Sequence, residues 1–284
     1  MAEPAVSPVR PFLQGPRPLA FAHRGGSLLW PENTMIAFRG AVEMGYRYLE
    51  TDIHAARDGV LVLIHDDTLE RTTNGSGLVW EHTLAELRRF DAGYHFSPDG
   101  GQTHPYRGRG VAVPTLEEVV EAFPDVRLNV DIKQAPAAGG PDRQDQPPVL
   151  EALADFIEKR GLQDRLLVAS FRERVMQEFR SASGGAVATS ATQGEARRFW
   201  LASRLRLERL LRVPYDALQV PARYGSRTVV DRRLVEAAHG RGVQVHVWTV
   251  DEPEEMRRLL GLGVDGLMSD RPDVLLEVVG PREE

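Results

Sequence analysis

Three consecutive runs decide the fold: Leu19-Ala-Phe-Ala-His23, Glu32-Asn-Thr-Met-Ile-Ala-Phe-Arg-Gly-Ala-Val-Glu-Met44 and Tyr48-Leu-Glu-Thr-Asp-Ile53. The first and third are short and β-rich, and the second has the spacing of an amphipathic helix. Strand, helix, strand in that order makes a parallel crossover, because parallel neighbours need a long connection. The alternation continues outward. Further strands are predicted at Arg127–Ile132, Arg165–Ala169, Ala186–Thr189, Ala217–Val220, Val243–Thr249 and Gly266–Ser269. Helices are predicted between most of them, at Leu116–Ala122, Val149–Arg160, Arg172–Ser181, Gly194–Leu211, Val229–Arg241 and Glu252–Leu260. Eight such units imply an α/β fold, a (β/α)₈ TIM barrel that a last helix at Pro272–Val279 closes. An open doubly wound sheet shares the alternation, but no Gly-x-Gly-x-x-Gly follows the first strand.

One connection departs from the pattern. Asp58-Gly59 precedes Val60-Leu-Val-Leu-Ile64, which is a hairpin signal. Residues 66–112 then read as a small inserted subdomain after the second barrel strand, with a short helix near Leu84–Phe90. Long loops are predicted at 96–110 and 134–148. Residues 1–18, with scattered prolines, read as a loose arm ahead of a barrel domain at 19–284.

Composition narrows the function. The 284 residues carry a net charge of −6, so no global basic field recruits nucleic acid. Cysteine is absent, which excludes disulfides, thiolate metal sites and a cysteine nucleophile. No run approaches the ~18 apolar residues of a membrane span, and the N-terminus lacks a signal-peptide core. No stable membrane insertion and a cytoplasmic location are expected. Arg197–Arg212 is basic and amphipathic. It reads as an outer barrel helix with its arginines in water, contact with anionic lipid being the other reading. The oligomeric state is open.

Barrel active sites gather where strands end. Here the strand ends carry His23-Arg24-Gly25-Gly26, Glu50-Thr51-Asp52, Asp131-Ile132-Lys133 and His246-Val247-Trp248. Such residues are costly near a core, so their recurrence argues for one common site. Period-two geometry puts Glu50 and Asp52 on one face, and Asp131 with Lys133. A two-residue turn at Asp58-Gly59 would set Asp52 directly opposite His65, Cβ atoms ~5 Å apart. Three gathered carboxylates need compensation, most simply a divalent cation, and all-oxygen ligation favours Mg²⁺ or Ca²⁺. Arg24 and Lys133 add a place for an anion. Carboxylates, a hard cation, two basic groups and two histidines suit phosphate-ester chemistry.

At these residues the chain resembles the glycerophosphodiester phosphodiesterases. The resemblance is carried by Ala22-His23-Arg24-Gly25-Gly26, Pro31-Glu32-Asn33-Thr34, Leu49-Glu50-Thr51-Asp52-Ile53 and Asp58-Gly59-Val60. It continues through Ile64-His65-Asp66-Asp67-Thr68-Leu69-Glu70-Arg71-Thr72-Thr73-Asn74-Gly75 and Leu128-Asn129-Val130-Asp131-Ile132-Lys133. It ends with Val247-Trp248-Thr249-Val250 and Gly263-Val264-Asp265-Gly266-Leu267-Met268-Ser269-Asp270-Arg271-Pro272.

The resemblance implies a barrel with an inserted subdomain, and metal-dependent hydrolysis of small-molecule glycerophosphodiesters to glycerol 3-phosphate and an alcohol. By matching positions, Glu50, Asp52 and Asp131 would hold the metal, and His23 and His65 would form the acid–base pair. Arg24 and Lys133 match phosphate-binding residues, and Trp248 a residue of the glycerol pocket. The family pattern also implies attack by the glycerol 2-hydroxyl through a cyclic phosphate. Two positions depart from it. Asp131 stands where Glu is usual, one methylene shorter, and Ser269 where Thr is usual. Two other readings are a lysophospholipase D or sphingomyelinase D-type enzyme on the same barrel, and a non-catalytic sugar-phosphate-binding barrel.

Overall fold

A computed structural model describes residues 10–133 and 147–280. The strands are β1 (Leu19–Ala22), β2 (Tyr48–Ala55), β3 (Leu61–Leu63), β4 (Arg127–Ile132), β5 (Leu166–Ala169) and β6 (Ala188–Thr189). They continue as β7 (Ala217–Pro221), β8 (Arg223–Tyr224), β9 (Arg227–Thr228), β10 (Gln244–Trp248) and β11 (Gly266–Ser269). The helices are α1 (Met35–Glu43), α2 (Leu84–Leu87), α3 (Leu116–Ala122), α4 (Val149–Arg160) and α5 (Glu173–Ala182). After them come α6 (Gln193–Leu205), α7 (Arg232–His239), α8 (Pro253–Gly261) and α9 (Pro272–Val279).

The eight parallel strands run in the order β6-β5-β4-β2-β1-β11-β10-β7. A parallel bridge between Ser190 and Ala217 joins the two ends of that order. This is the expected (β/α)₈ barrel. Each strand alternates its faces. Leu49 and Ile53 of β2 pack outward against the helices, while Tyr48 points into the barrel with Leu19, Phe21, Leu167 and Met268. Gly266 belongs to that interior layer. A Cβ there would lie 2.9 Å from the His246 ring and 3.0 Å from that of Phe21.

Several helices begin later than their apolar pattern. Thr34 caps α1 by accepting from Ala37 N, so Glu32 and Asn33 stay in the preceding turn. Arg206, left-handed at φ 58°, ends α6 well short of Leu211.

The hairpin differs from its expected register. Gly59 N donates to Ala56 O and Ala56 N to Val60 O, so the loop holds three residues with Gly59 left-handed at φ 81°. This is the turn-plus-bulge form of a hairpin. Ile53 therefore faces Leu63, and Ile64 N donates to Asp52 O. His65 is not directly opposite Asp52; it lies one residue further along, beyond the strand. The segment after it is inserted as expected and has its own small core of Leu69, Val79, Leu87, Ala92 and Val111 against Val62 and Ile64.

The arm is the second correction. From Arg10 on it is packed under the barrel. Phe12 and Leu13 are buried, and the Phe12 ring lies edge-on to Tyr48 at 5.4 Å. Tyr48 Oη donates to Phe12 O and Gln244 Nε2 to Leu13 O. Arg17 pairs with Asp265 at 2.7 Å. The prolines set the path of this segment without loosening it. Residues 1–9, and 134–146 of the second long loop, lie outside the described residues.

Candidate active site

The acidic side chains come from β2 and β4, which pair with Glu50 beside Asn129 and Asp52 beside Asp131. All three carboxylates are buried. Burial and the adjacent Asp52 push the Glu50 carboxyl up to about 7. For Asp52, burial acts in the same upward direction but is outweighed. Lys133 and Arg24, helped by a hydrogen bond from Asn33, hold it down to about 2. Burial, against the pull of Lys133, raises Asp131. Lys133 Nζ bridges the last two, 3.0 Å from Asp52 Oδ1 and 2.6 Å from Asp131 Oδ2.

His23 and Arg24 sit in the tight turn after β1. Arg24 is left-handed at φ 51°, and Gly25 follows at φ 82°, where a Cβ would meet Ala37 Cβ at 2.6 Å. Strain of this kind gathers at functional sites. The turn aims Arg24 N at Glu50 Oε2 (3.0 Å) and brings Arg24 Nε to 3.2 Å from Asp52 Oδ2, an ion-pair contact without a hydrogen bond. His23 Nδ1 is 2.6 Å from Asp270 Oδ1, which leaves Nε2 facing Glu50 at 3.7 Å. Burial opposes a charged ring at His23. Glu50 and Asp270 overcome it, so its pKa is raised.

His65 repeats the arrangement from the other side. Its Nδ1 is 2.6 Å from Asp66 Oδ1. Asp66 is in turn forked by Arg71, with Nε to Oδ2 at 2.6 Å and Nη2 to Oδ1 at 3.0 Å. Arg71 also forks Glu32, at 2.7 and 2.8 Å, and Glu32 accepts from Arg24 at 3.0 Å. One guanidinium from the inserted segment thus ties the His65 dyad to the Arg24 side of the site. His65 is close enough for its charge to favour both the Asp52 and the Asp131 carboxylates. Trp248, half-buried at the end of β10, meets Phe171 edge-on at 5.5 Å, and Lys133 Nζ lies 5.7 Å over the Phe171 ring.

The structure therefore brings His23, Arg24, Glu50, Asp52, His65, Asp131 and Lys133 together, with Trp248 alongside. His246 stands apart. It belongs to the run that ends the seventh barrel strand, but it is fully buried in mid-strand, and burial pushes it down to about 4. The sequence reading gave no role to Glu32, Asn33, Asp66, Arg71, Phe171 or Asp270. Asn33 is left-handed at φ 54°. It donates to Asp52 Oδ2 at 2.9 Å and accepts from Thr51 Oγ1 at 2.7 Å. The Pro31-Glu32-Asn33-Thr34 run beside the first strand end was the available signal for it.

A hard cation fits this donor chemistry. Asp131 Oδ1 is buried without a hydrogen-bond partner, and Glu50, Asp52 and Asp131 supply oxygen alone. Among the described residues they are not already gathered as a metal-binding set, and Lys133 supplies the positive charge between two of them.

The sequence profile of the glycerophosphoryl diester phosphodiesterase family matches residues 23–274. A Mycobacterium tuberculosis protein described as a probable glycerophosphodiester phosphodiesterase 2 is 36% identical over 284 residues, covering 98% of this chain and 97% of that one. A Caldanaerobacter subterraneus glycerophosphodiester phosphodiesterase is 32% identical over 263 residues, covering 92% and 97%. An Oleispira antarctica phosphodiesterase, solved with its product sn-glycerol 3-phosphate, superposes with a TM-score of 0.68 at 25% identity, covering 93% and 97%.

Proposed function

The chain belongs to the glycerophosphoryl diester phosphodiesterase family, and from that premise we propose that it hydrolyses small glycerophosphodiesters to glycerol 3-phosphate and an alcohol with a divalent cation, Mg²⁺ or Ca²⁺. The observation that carries this reading is the pair of imidazoles, each held at Nδ1 by its own carboxylate, flanking buried acids and two cations. A ring fixed at Nδ1 presents Nε2 for proton transfer, and the carboxylate favours the imidazolium when it forms.

Arg24 and Lys133 are the groups that would hold the phosphodiester and share its growing charge. Glu50, Asp52 and Asp131 would hold the cation, which supplies further charge neutralisation at phosphoryl oxygen. Trp248 and Phe171 offer an apolar wall for the glycerol carbons. One imidazole takes the proton of the glycerol 2-hydroxyl as that oxygen bonds to phosphorus. The other gives a proton to the departing alcohol oxygen as its P–O bond breaks. Water then opens the cyclic phosphate, and the two rings exchange roles so that the proton balance is restored.

The decisive assay compares glycerophosphocholine, glycerophosphoethanolamine, glycerophosphoglycerol and a lysophospholipid, before and after chelation. Turnover of the water-soluble diesters should vanish with chelator and return with Mg²⁺ or Ca²⁺. His23→Ala and His65→Ala should each lower kcat by ~10² or more. Exclusive turnover of the lysophospholipid would move the enzyme to the lysophospholipase D class. Ligand binding without turnover in added metal would make it a binding protein, and near-normal turnover in either histidine variant would remove that residue from the mechanism.

A further inference from the structure

The end of α6 and the turn after it expose apolar side chains in an unusual concentration. Leu201 is 48% exposed, Leu205 68%, Leu207 45% and Leu210 79%. The other exposed large apolar residues described, Leu28, Phe171 and Tyr224, stand singly in separate parts of the chain, the last in β8. The opposite face of α6 buries Phe199, Ala202 and Ser203 against the barrel, so the outward leucines are not core residues turned slightly out. Arg197, Leu201 and Leu205 follow at intervals of four and form one row along the helix. Where Arg206 breaks the helix, the short turn Glu208–Leu210 carries the same character onward.

The charge around these leucines is of one sign. Arg197, Arg206, Arg209 and Arg212 are exposed, and among the described residues none of them is recorded in an ion pair. The neighbouring Arg198 and Arg204 are already engaged, by Glu173 and Asp231. The single acid of the stretch, Glu208, is half-buried, with Oε2 out of solvent. Leucines that stand out of the surface among free arginines fit a boundary where hydrocarbon lies below and negative groups lie level with the guanidinium heads. A second copy of the chain would bring two sets of like charge face to face, which disfavours self-association.

We propose that this face docks reversibly on an anionic lipid surface, with Leu201, Leu205, Leu207 and Leu210 entering the headgroup boundary and Arg197, Arg206, Arg209 and Arg212 pairing with lipid phosphates. The patch lies toward the end of the barrel opposite the candidate active site, because α6 starts at the strand C-terminal rim and its following turn leads into the start of β7. A docked molecule would therefore keep its site open to solution, where water-soluble diesters arrive. The docking itself does not depend on what the site hydrolyses.

Co-sedimentation of the full chain with phosphatidylcholine vesicles, with and without about 30% phosphatidylglycerol, tests the proposal. Binding should require phosphatidylglycerol and weaken at least ~10-fold between about 0.05 and 0.5 M NaCl. Leu205→Glu with Leu210→Glu, and separately Arg206→Glu with Arg209→Glu, should each weaken it at least ~10-fold, with the thermal midpoint unchanged. Equal binding to neutral vesicles, no binding to either kind, or full binding by either folded double variant would overturn it. So would a dimer in sedimentation equilibrium that the leucine variant splits, because the face would then be a contact between copies.

Discussion

At the scale of single residues, the site depends on side chains that face away from the reacting groups as much as on those that face them. Arg71 is the clearest case. Its guanidinium holds Asp66, which fixes His65, and Glu32, which holds Arg24. A bidentate fork of this kind cannot be copied by a lysine ammonium, which is a point charge. Arg71→Ala should therefore lower kcat by about 10- to 100-fold with KM changed much less, since misplacing one group by ~1 Å has costs of that size. Arg71→Lys should recover only part of the loss. Unchanged kcat in the alanine variant would show that His65 is held without it. The acids and bases facing the centre were legible in the sequence because strand ends are where a barrel puts chemistry, and charged residues there stand out against apolar neighbours. Arg71, Asp66 and Asp270 were not, because they lie in turns with no periodicity, and the partner of each is fixed only by the three-dimensional path. His246 misled for the opposite reason, since a polar residue near a strand end resembles a site residue until its depth in the barrel is known.

Elements were legible to the extent that local pattern governs them. All eight barrel strands are where their apolar runs put them, although β6 shrinks to Ala188–Thr189 and leaves the seam with β7 to one bridge and its flanking hydrogen bonds. The hairpin register was missed because Asp-Gly fits both a two-residue turn and the second half of a bulged three-residue one; the left-handed Gly59 selects the latter. The segment Pro11–Leu13 was missed because proline-rich composition was weighed above its two apolar side chains. Those side chains close the barrel floor. Phe12 is fully buried between Phe21 and Tyr48, at ring distances of 6.4 and 5.4 Å, and its carbonyl accepts from Tyr48 Oη. Phe12→Ala should cost about 3–5 kcal/mol, read as a lower urea midpoint at unchanged slope. A loss under about 1 kcal/mol would mean that the segment covers the barrel without supporting it.

Across the whole molecule, a polar chain separates this apolar floor from the acidic site above. Gln244 Nε2 donates to Leu13 O, and Gln244 Oε1 lies 3.0 Å from His246 Nε2. Gln219 Nε2 lies 3.3 Å from His246 Nδ1 and donates to Asn129 Oδ1 at 2.9 Å. Asn129 is the strand neighbour of Glu50, so the chain runs from the floor to the level of the first carboxylate. These partners suit a neutral imidazole that donates from Nε2 and accepts at Nδ1. A second proton would set Nδ1–H against the Gln219 amide N–H. Burial pushes His246 down to about 4, against the pull of Asp265 and with a small push from Arg17. The unfolded chain takes up that proton near pH 6.5, and the native chain does not until about pH 4. The contribution is therefore intact above pH ~6.5 and is lost as pH falls from there to ~4, by about 1.4 kcal/mol per pH unit and about 3 kcal/mol in all. Glu50, raised to about 7, acts in the opposite direction over much of the same window, since its native carboxyl binds a proton before the unfolded one does. The wild-type curve alone thus mixes two signs. Subtracting the curve of His246→Gln, which keeps a polar amide in the chain and has no proton to gain, isolates the histidine. The wild type should lose stability relative to that variant steadily between pH 6 and 4.5, by about 2 kcal/mol over that interval in urea unfolding. A difference that stays flat with pH would mean that His246 is already protonated in the native barrel, and the donor–acceptor order of the chain would have to be reversed at Gln219.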